Sequence, residues 1–554
     1  MKNFKSKLFN LRKTGDHFIL ASGVGLLISL GMLALIVAVI LVKGLGVFWP
    51  HQLVEARMKN GKVFLGEHWE KSTEWIEDNS GRRTSVREIQ LKIGNRDIYG
   101  RDFVWLKVPE IDSLFSPPDG VVFERMENGN FYGFISGLQL PDRKLAVSQK
   151  EFWKILDRAH RLAWKKKEEV AKLNKELQVI SEPLSLVEHE IAQFENTSAA
   201  ATPAGRQKLA RLEARADSVE AAISKDFSRV NGTLAKLKND LKHSSVAVKT
   251  VEGQEHQLHL SEIVRFYRPN RMNRWQKSAL YAGRLWEFLS ADPRESNTEG
   301  GVFPAIFGTV IMVLLMSVAV VPLGVLAAIY LNEYARQGAL IRLIRLSVNN
   351  LAGVPSIVFG VFGLGFFVYV LGGTIDQLFF SSKLPTPTFG TGGILWASLT
   401  LALLTLPVVV VATEEGLRAV PLANKEGALA LGATRWQMIR KVALPNALPG
   451  ILTGVILAIS RGAGEVAPLM ITGVVKLAPT LPLDGTFPFF HLDRKFMHLG
   501  FHIYDLGFQS PNVEAAKPSV YMTALLLILI VILLNLLAIY FRNRMKKRFR
   551  SATF

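Results

Sequence analysis

Six apolar runs, Phe18–Val42, Phe303–Tyr330, Ser356–Gly373, Ile394–Ala412, Leu448–Val475 and Pro518–Phe541, constrain this chain more than any other feature. A helix needs about twenty such residues to cross a hydrocarbon layer, and inside that layer only a helix or a closed barrel satisfies its own backbone. The expected fold class is therefore an α-helical polytopic membrane protein with six transmembrane helices. A mean hydropathy of +0.22 over 554 residues fits that class and not an ordinary soluble protein. Ser356–Gly373 is short for a span, and Leu448–Val475 carries charges. The first run follows a basic start, as in a signal peptide. It is too long for one and lacks a small-x-small cleavage site before the polar region, so it reads as a retained span.

Lysine and arginine in the short flanks set the orientation. Lys2, Lys5, Lys7, Arg12 and Lys13 precede the first run, and Arg336, Arg342 and Arg345 lie between the second and third. Arg418, Lys425, Arg435, Arg440 and Lys441 lie between the fourth and fifth, and Arg542, Arg544, Lys546, Lys547, Arg548 and Arg550 follow the sixth. The opposite short loops hold only Lys383 and then Lys476, Arg494, Lys495 and Lys517. Both termini (residues 1–17 and 542–554) and the loop at 413–447 are expected in the cytoplasm, and the long stretch 43–300 outside it. The net charge of +19 is largely this basic flanking, so it points to membrane topology and not to nucleic acid. The absence of cysteine removes disulfides, thiolate metal sites and cysteine nucleophiles together.

Within the 43–300 insertion, Val170, Leu173, Leu177, Ile180, Leu184, Val187, Ile191 and Phe194 recur three and four apart, which is a heptad seam. After a break at Glu195–Arg206, containing Asn196, Thr197, Ser198, Pro203 and Gly205, a second seam runs from Leu209 to Leu241 with a stutter around Ile223. Two such helices, about 150–243, predict an antiparallel coiled-coil hairpin, with a kink or interruption at Pro183. Strand-like pieces flank it at Glu88–Ile93, Phe103–Val108, Val121–Arg125, Phe131–Ser136 and Val246–Val251, with Asn128-Gly129 as a turn. These predict a mixed β domain, with β elements at about 84–148 and 246–260, carrying the hairpin as scaffold or as a receiver for a partner. An amphipathic segment at about 273–290, with Trp275, Leu280, Leu285, Trp286 and Phe288, is expected at the membrane interface.

The 413–447 loop has its own grammar. Pro421 can open a helix without losing a needed N–H, Gly432 can close it in a left-handed turn, and Thr434 with Gln437 has capping-box spacing for a second helix. In that second helix Trp436, Ile439 and Val442 are expected to share a face, and Leu444-Pro445 to end it. The stretch Glu426-Gly427-Ala428, Gly432 and Val442-Ala443-Leu444-Pro445 resembles the "EAA" loop of ABC-importer permeases, with Gly427 for the first alanine and Val442 for the isoleucine. The resemblance implies that Glu426, Gly427, Ala428, Gly432, Leu444 and Pro445 couple the chain to an ATPase.

The fifth run places Arg461 and Glu465 four residues apart, on one helix face. A charge there is costly and normally faces a bundle interior or an aqueous pathway. One reading is a buried pair holding helices together. The other is that Arg461 presents its fork to an oxyanion, with Glu465 orienting it. Gly462 and Gly464 would let backbone approach a substrate, or serve helix packing.

Gly301–Thr309, Tyr330-Leu-Asn-Glu-Tyr-Ala335, Gly353–Gly360 and Arg461–Pro468 resemble the PstA family, the permeases of bacterial phosphate-specific ABC import systems, closely over about 300–545. The resemblance implies a type I ABC-importer permease core with five spans at 301–541 in the inner membrane. It also implies a paralogous PstC-like permease, a cytoplasmic PstB-like ATPase dimer and a periplasmic PstS-like phosphate-binding protein as partners. Of other readings, a molybdate or sulfate permease shares the class, and a sensory or mechanosensitive protein suits the coiled coil but leaves the loop unexplained. There is no G-x-x-x-x-G-K-[ST] motif, so no cofactor is expected on this chain and ATP would be used by the partner ATPase. No His-Glu-x-x-His motif or Ser/His/Asp constellation stands out, so a transport subunit is expected and not an enzyme. The scattered histidines, such as His256 and His259, read as solvated.

Overall fold

The computed structural model describes residues 16–77, 83–141, 143–148, 151–195, 202–485 and 487–550. The basic residues Lys2 to Lys13 and the turn residues Asn196, Thr197 and Ser198 lie outside them. The chain divides into a unit at Pro50–Ala282 and a second unit made of the segments Met1–Trp49 and Gly283–Phe554.

Alternating apolar positions in the first unit build two antiparallel sheets. Strands β1 (Leu53–Met58), β2 (Val63–Glu77), β3 (Arg83–Lys92), β4 (Phe103–Lys107) and β5 (Ile111–Phe115) order as β4-β3-β2-β1-β5. Strands β6 (Val121–Arg125), β7 (Phe131–Leu140), β9 (Ser245–Lys249), β10 (Glu255–His259) and β11 (Ile263–Tyr267) order as β10-β9-β7-β6-β11, with β8 (Arg143–Ala146) on β7. Leu53 and Leu65 of the first sheet meet Val122 and Tyr132 of the second in one cluster. The sheets begin at Leu53 and not near residue 84, because Glu67, Glu70, Lys71, Glu74 and Glu77 in β2 hide its strand pattern in the sequence. At the Asn128-Gly129 turn both residues are left-handed, at φ 66°. Arg125 pins that turn through Asn128 O at 2.8 Å and Gly129 O at 3.0 Å, while its fork grips Asp97 with two bonds of 2.9 Å. His256 and His259 lie in β10 with half-buried side chains, which corrects the expectation of solvated rings.

The hairpin helices run Phe152–Glu195 and Pro203–Lys242, with Val187, Leu212, Val230 and Leu234 buried along the seam. Pro183 does not interrupt the first helix. The N–H it lacks would bond Val179 O, and both residues sit on the water-exposed side, where solvent can take that carbonyl. Phe152, Leu156 and Ala163 share a core with Val246, Val248, Leu260 and Ile263, and Trp164 Nε1 donates to Ile263 O at 2.7 Å. The arm is therefore rooted in the sheet by its own first turns.

In the second unit six helices are long and apolar enough to cross a membrane: Phe18–Gly46, Phe303–Tyr334, Ser356–Phe379, Ile394–Arg418, Arg435–Gly464 and Val513–Met545, spans one to six. Span four is central, with 67% of its most apolar window buried, against 28% or less in every other span. It meets span five at backbone contact. A Cβ on Gly454 would lie 2.6 Å from Ala412 Cβ, and one on Gly450 would lie 2.8 Å from Gly416 Cα. Gly324 of span two leaves room for Val409 in the same way, at 2.7 Å from its Cγ1. Small residues replace a hydrophobic driving force where lipid is as apolar as the protein. Span one is exposed along its window and meets span six where a Cβ on Gly44 would lie 3.2 Å from Tyr521 O.

Span boundaries depart from the apolar runs. Span four continues past Ala412 to Arg418, and span five starts at Arg435 and stops at Gly464 instead of running from Leu448 to Val475. Helices continue past the apolar stretch because their charges find partners, as with Glu414 and Arg345 at 3.2 Å. The helix of span six likewise runs on to Arg550. The amphipathic helix is Arg274–Ser290; its Phe288 is buried against Val302, Met497 and Met522, while Trp286 is exposed. Between spans three and four, the buried Asp376 carboxylate accepts the backbone N–H groups of Thr388, Phe389 and Gly390 at 2.9, 2.8 and 2.7 Å.

The glycine contacts give a direct test. Gly454→Leu is expected to push spans four and five apart at a cost of about 1–3 kcal/mol, whereas Gly31→Leu in span one meets nothing within 4 Å. Thermal melts and size exclusion of the purified protein should show an early-melting, aggregated Gly454→Leu and an unchanged Gly31→Leu.

Candidate functional site

Span five does not carry its charges through a continuous helix. It ends at Gly464, Glu465 is extended at φ −78° and ψ 138°, and a six-residue helix, Ala467–Thr472, follows the break. Arg461 thus lies in the last turn of span five, where the negative end of the helix dipole favours a cation. Glu465 lies outside the helix, so the expectation of a shared helix face is corrected. The two still approach, Nε to Oε1, at 3.7 Å, with side chains 32% and 23% exposed. That is too long for a hydrogen bond. Among the described residues none accepts a hydrogen bond from the Arg461 guanidinium. A broken helix at membrane depth is tolerated where it is buried in protein or lines a cavity.

The two glycines differ. A Cβ on Gly462 would lie 2.5 Å from Met316 Sδ, so Gly462 serves close packing of span five on span two. Gly464 faces open space. Around the break the fold gathers three of the four segments that carry the family resemblance, 301–309, 353–360 and 461–468. A Cβ on Gly360 would lie 2.7 Å from Pro468 Cα, and one on Gly500 would lie 2.7 Å from Val466 Cγ2. Thr309 Oγ1 accepts from Leu499 N at 2.9 Å, and Gly308 lies against Met497 O.

Between spans four and five the connection is a helix at Leu422–Ala430, a turn at Gly432 with φ 84°, and the Thr434–Gln437 capping box, whose two bonds are 3.2 and 2.9 Å. Glu426 and Gly427 are exposed, while Ala428 and Leu444 pack against Ile329, Leu417, Ile439 and Ala447. Leu444-Pro445 does not end the second helix. A widened π turn at Ile439–Ala443 precedes Pro445 and places it in the first turn of a new α register, where a missing N–H costs nothing. The helix therefore runs from the loop straight into span five. Trp436 is exposed and Ile439 buried, so the expected shared face is absent. Leu422, Leu429, Leu431 and Trp436 are each exposed on the loop, Leu431 at 90%.

Sequence reasoning missed the polar groups that fasten this loop. Lys425 Nζ donates to Glu333 Oε1 at 2.6 Å and to Leu417 O at 3.1 Å. Arg345 reaches Glu414, Gln337 and Leu331 O. Their partners are distant in sequence, and only the Glu333 of the Tyr330–Ala335 motif hinted at them. A second missed cluster lies between spans five and six. The buried Asp505 takes Lys476 Nζ at 3.2 Å and Asn297 Nδ2 at 3.1 Å, close to His502. Burial lowers His502 to about 4, opposed by Asp505 and aided by Lys476, and lowers His498 to about 3. Among the described residues no cluster of His, Asp and Glu could hold a metal ion.

Six helices long and apolar enough to cross a membrane, a broken fifth span and a helical loop joined to it describe a multi-pass membrane protein. A family model for the binding-protein-dependent transport system inner membrane component matches residues 320–550. The phosphate transport system permease protein PstA of Yersinia pestis is 35% identical over 251 residues, covering 45% of this chain and 75% of that protein. The chain belongs to the PstA family of permeases. PstA 1 of Mycobacterium tuberculosis strain H37Rv is 39% identical over 172 residues, 31% of this chain, so the chain spans about half the length of that relative, 50%. Among solved structures, the inward-facing MetNI methionine ABC transporter aligns at 19% identity and TM-score 0.31, covering 48% of this chain and 98% of that one.

The buried histidines predict acid sensitivity. A histidine held neutral in the fold takes up its proton in the unfolded chain first. Stability is therefore whole above about pH 6.5 and declines as pH falls toward 4. Melting temperatures should drop over that window in the wild type, and less steeply in His502→Gln.

Proposed function

We propose that this chain is the permease half of an ATP-driven importer of inorganic phosphate. Its partners on this reading are a PstC-like permease, a cytoplasmic PstB-like ATPase dimer and a periplasmic PstS-like binding protein. The observation that carries the proposal is the guanidinium of Arg461, without a hydrogen-bond acceptor among the described residues, at the break of span five in a PstA-family chain. A planar fork of donors suits a tetrahedral oxyanion shedding its water. Glu465 at 3.7 Å is near enough to hold the guanidinium when the pathway is empty, and loose enough to give way. Gly464 leaves the space beside it open.

Drive comes from the loop at Leu422–Ala430 and its continuation into span five. The exposed Leu422, Leu429, Leu431 and Trp436, with Glu426 and Gly427, meet the ATPase. Gly432 sets the angle between the two helices, and Leu444 and Pro445 pass motion into span five. ATP-driven closure alternately opens the break to either side, because the loop contacts the ATPases differently in the two states. Positive-inside charge places both termini and this loop in the cytoplasm and the Pro50–Ala282 unit in the periplasm.

Two experiments test the proposal. In vesicles holding the whole transporter, Arg461→Met with Glu465→Gln should assemble and hydrolyse ATP yet move no phosphate, since methionine offers no donor to a desolvated anion. Arg461→Lys should keep part of the rate. Near wild-type uptake by the double variant would reduce the pair to structure, and inhibition of uptake by molybdate or sulfate in place of phosphate would change the substrate. For topology, Thr202→Cys in this cysteine-free chain should react with an impermeant maleimide from outside the inner membrane, and Gly427→Cys only from inside.

A further inference from the structure

The helix Leu422–Ala430 contains no buried residue, and only Ala428 of it joins the apolar cluster beneath. Apolar adhesion therefore holds it weakly to the bundle. Its strongest tie is Lys425, whose ammonium reaches across 92 positions to Glu333 at 2.6 Å, with side chains only 13% and 10% exposed. The same ammonium donates to Leu417 O in the last turns of span four, and Glu333 Oε1 also accepts from Asn332 Nδ2 at 2.8 Å.

Glu333 sits in an unusual place. Span two ends in a single π turn, Tyr330–Tyr334, closed by Ala335 N to Tyr330 O at 2.9 Å. Wide turns of this kind occur mostly as single-turn bulges in α-helices and are frequent at functional positions. This one is gripped from the other side as well. Arg345, on the helix Ala339–Leu351, donates to Leu331 O at 2.9 Å, to Gln337 Oε1 at 2.7 Å and to Glu414 Oε1 of span four at 3.2 Å. Beside the turn lies a half-open pocket of about 220 Å³, lined by Leu331, Arg345, Val348, Val410, Glu414 and Arg418.

We propose that Glu333 is a positioning residue for transport: paired with Lys425, it carries displacement of the loop helix into the end of span two, while Arg345 holds the same turn to span four. This rests on the reading that an ATPase drives the loop. A charged pair suits the task because it is directional and stiff where little apolar surface is shared. Without it the loop helix can move on its docking partner and leave span two behind.

The test measures phosphate imported per ATP hydrolysed by the full complex in vesicles. Glu333→Gln should bind the ATPase and hydrolyse ATP, yet its transport ratio should fall by roughly tenfold, the equivalent of one charge-assisted hydrogen bond. Exchange of the two charges, Glu333→Lys with Lys425→Glu, should recover part of the ratio. Because a lone buried charge can impair folding, Glu333→Met with Lys425→Met supplies a second arm, since neutral replacement of both partners is often tolerated. That pair should assemble and melt like the wild type and remain uncoupled. A wild-type ratio in either Glu333→Gln or the double-methionine variant overturns the proposal. If the wild-type complex itself imports no phosphate or recruits no ATPase, the functional reading fails instead, which is a separate result.

Discussion

The membrane unit depends on one contact, the backbone approach of spans four and five at Gly416, Gly450 and Gly454. Span four is the one helix enclosed on most sides, and span two closes on it through Gly324. In a bilayer no hydrophobic gain drives helices together, so closeness and the dispersion it brings must do it. Everything functional is hung on this spine. The loop helix follows the end of span four, span five carries Arg461, and Glu414 of span four anchors Arg345.

The two ends of span five differ. At its start, the π turn before Pro445 lets the helix that begins at Arg435 continue into the span without interruption. At its end the helix stops, and the chain breaks at Glu465 between an arginine and a short helix. Around that break Pro468, Val466 and Gly462 pack closely on Gly360, Gly500 and Met316 respectively. Arg461, Gly464 and Glu465 are left partly open, Gly464 the most.

The Pro50–Ala282 unit obeys different physics. Its two sheets and hairpin are held by ordinary burial, with Phe123, Phe131, Phe152 and Ile263 fully enclosed, and by Arg125, which satisfies two turn carbonyls and Asp97 at once. The hairpin half-buries its seam, as two helices alone must, and its first turns share the core of the second sheet.

The sequence alone determined what depends on neighbours along the chain. Apolar length marked the six spans, heptad spacing marked the hairpin, and the capping box and the left-handed Gly432 were legible because each involves residues a few positions apart. Short-range pattern could not show where helices end once charge begins. Whether Arg418 or Glu465 continues a helix depends on partners that folding supplies. Only the tertiary structure decided that Glu465 leaves the helix, that Gly462 packs while Gly464 stays open, that charged β2 is a strand, and that Lys425 meets Glu333. The reason is the same in each case: an ion pair, a cradled carbonyl or a glycine contact is set by groups tens to hundreds of positions apart, and their proximity exists only after the bundle has closed.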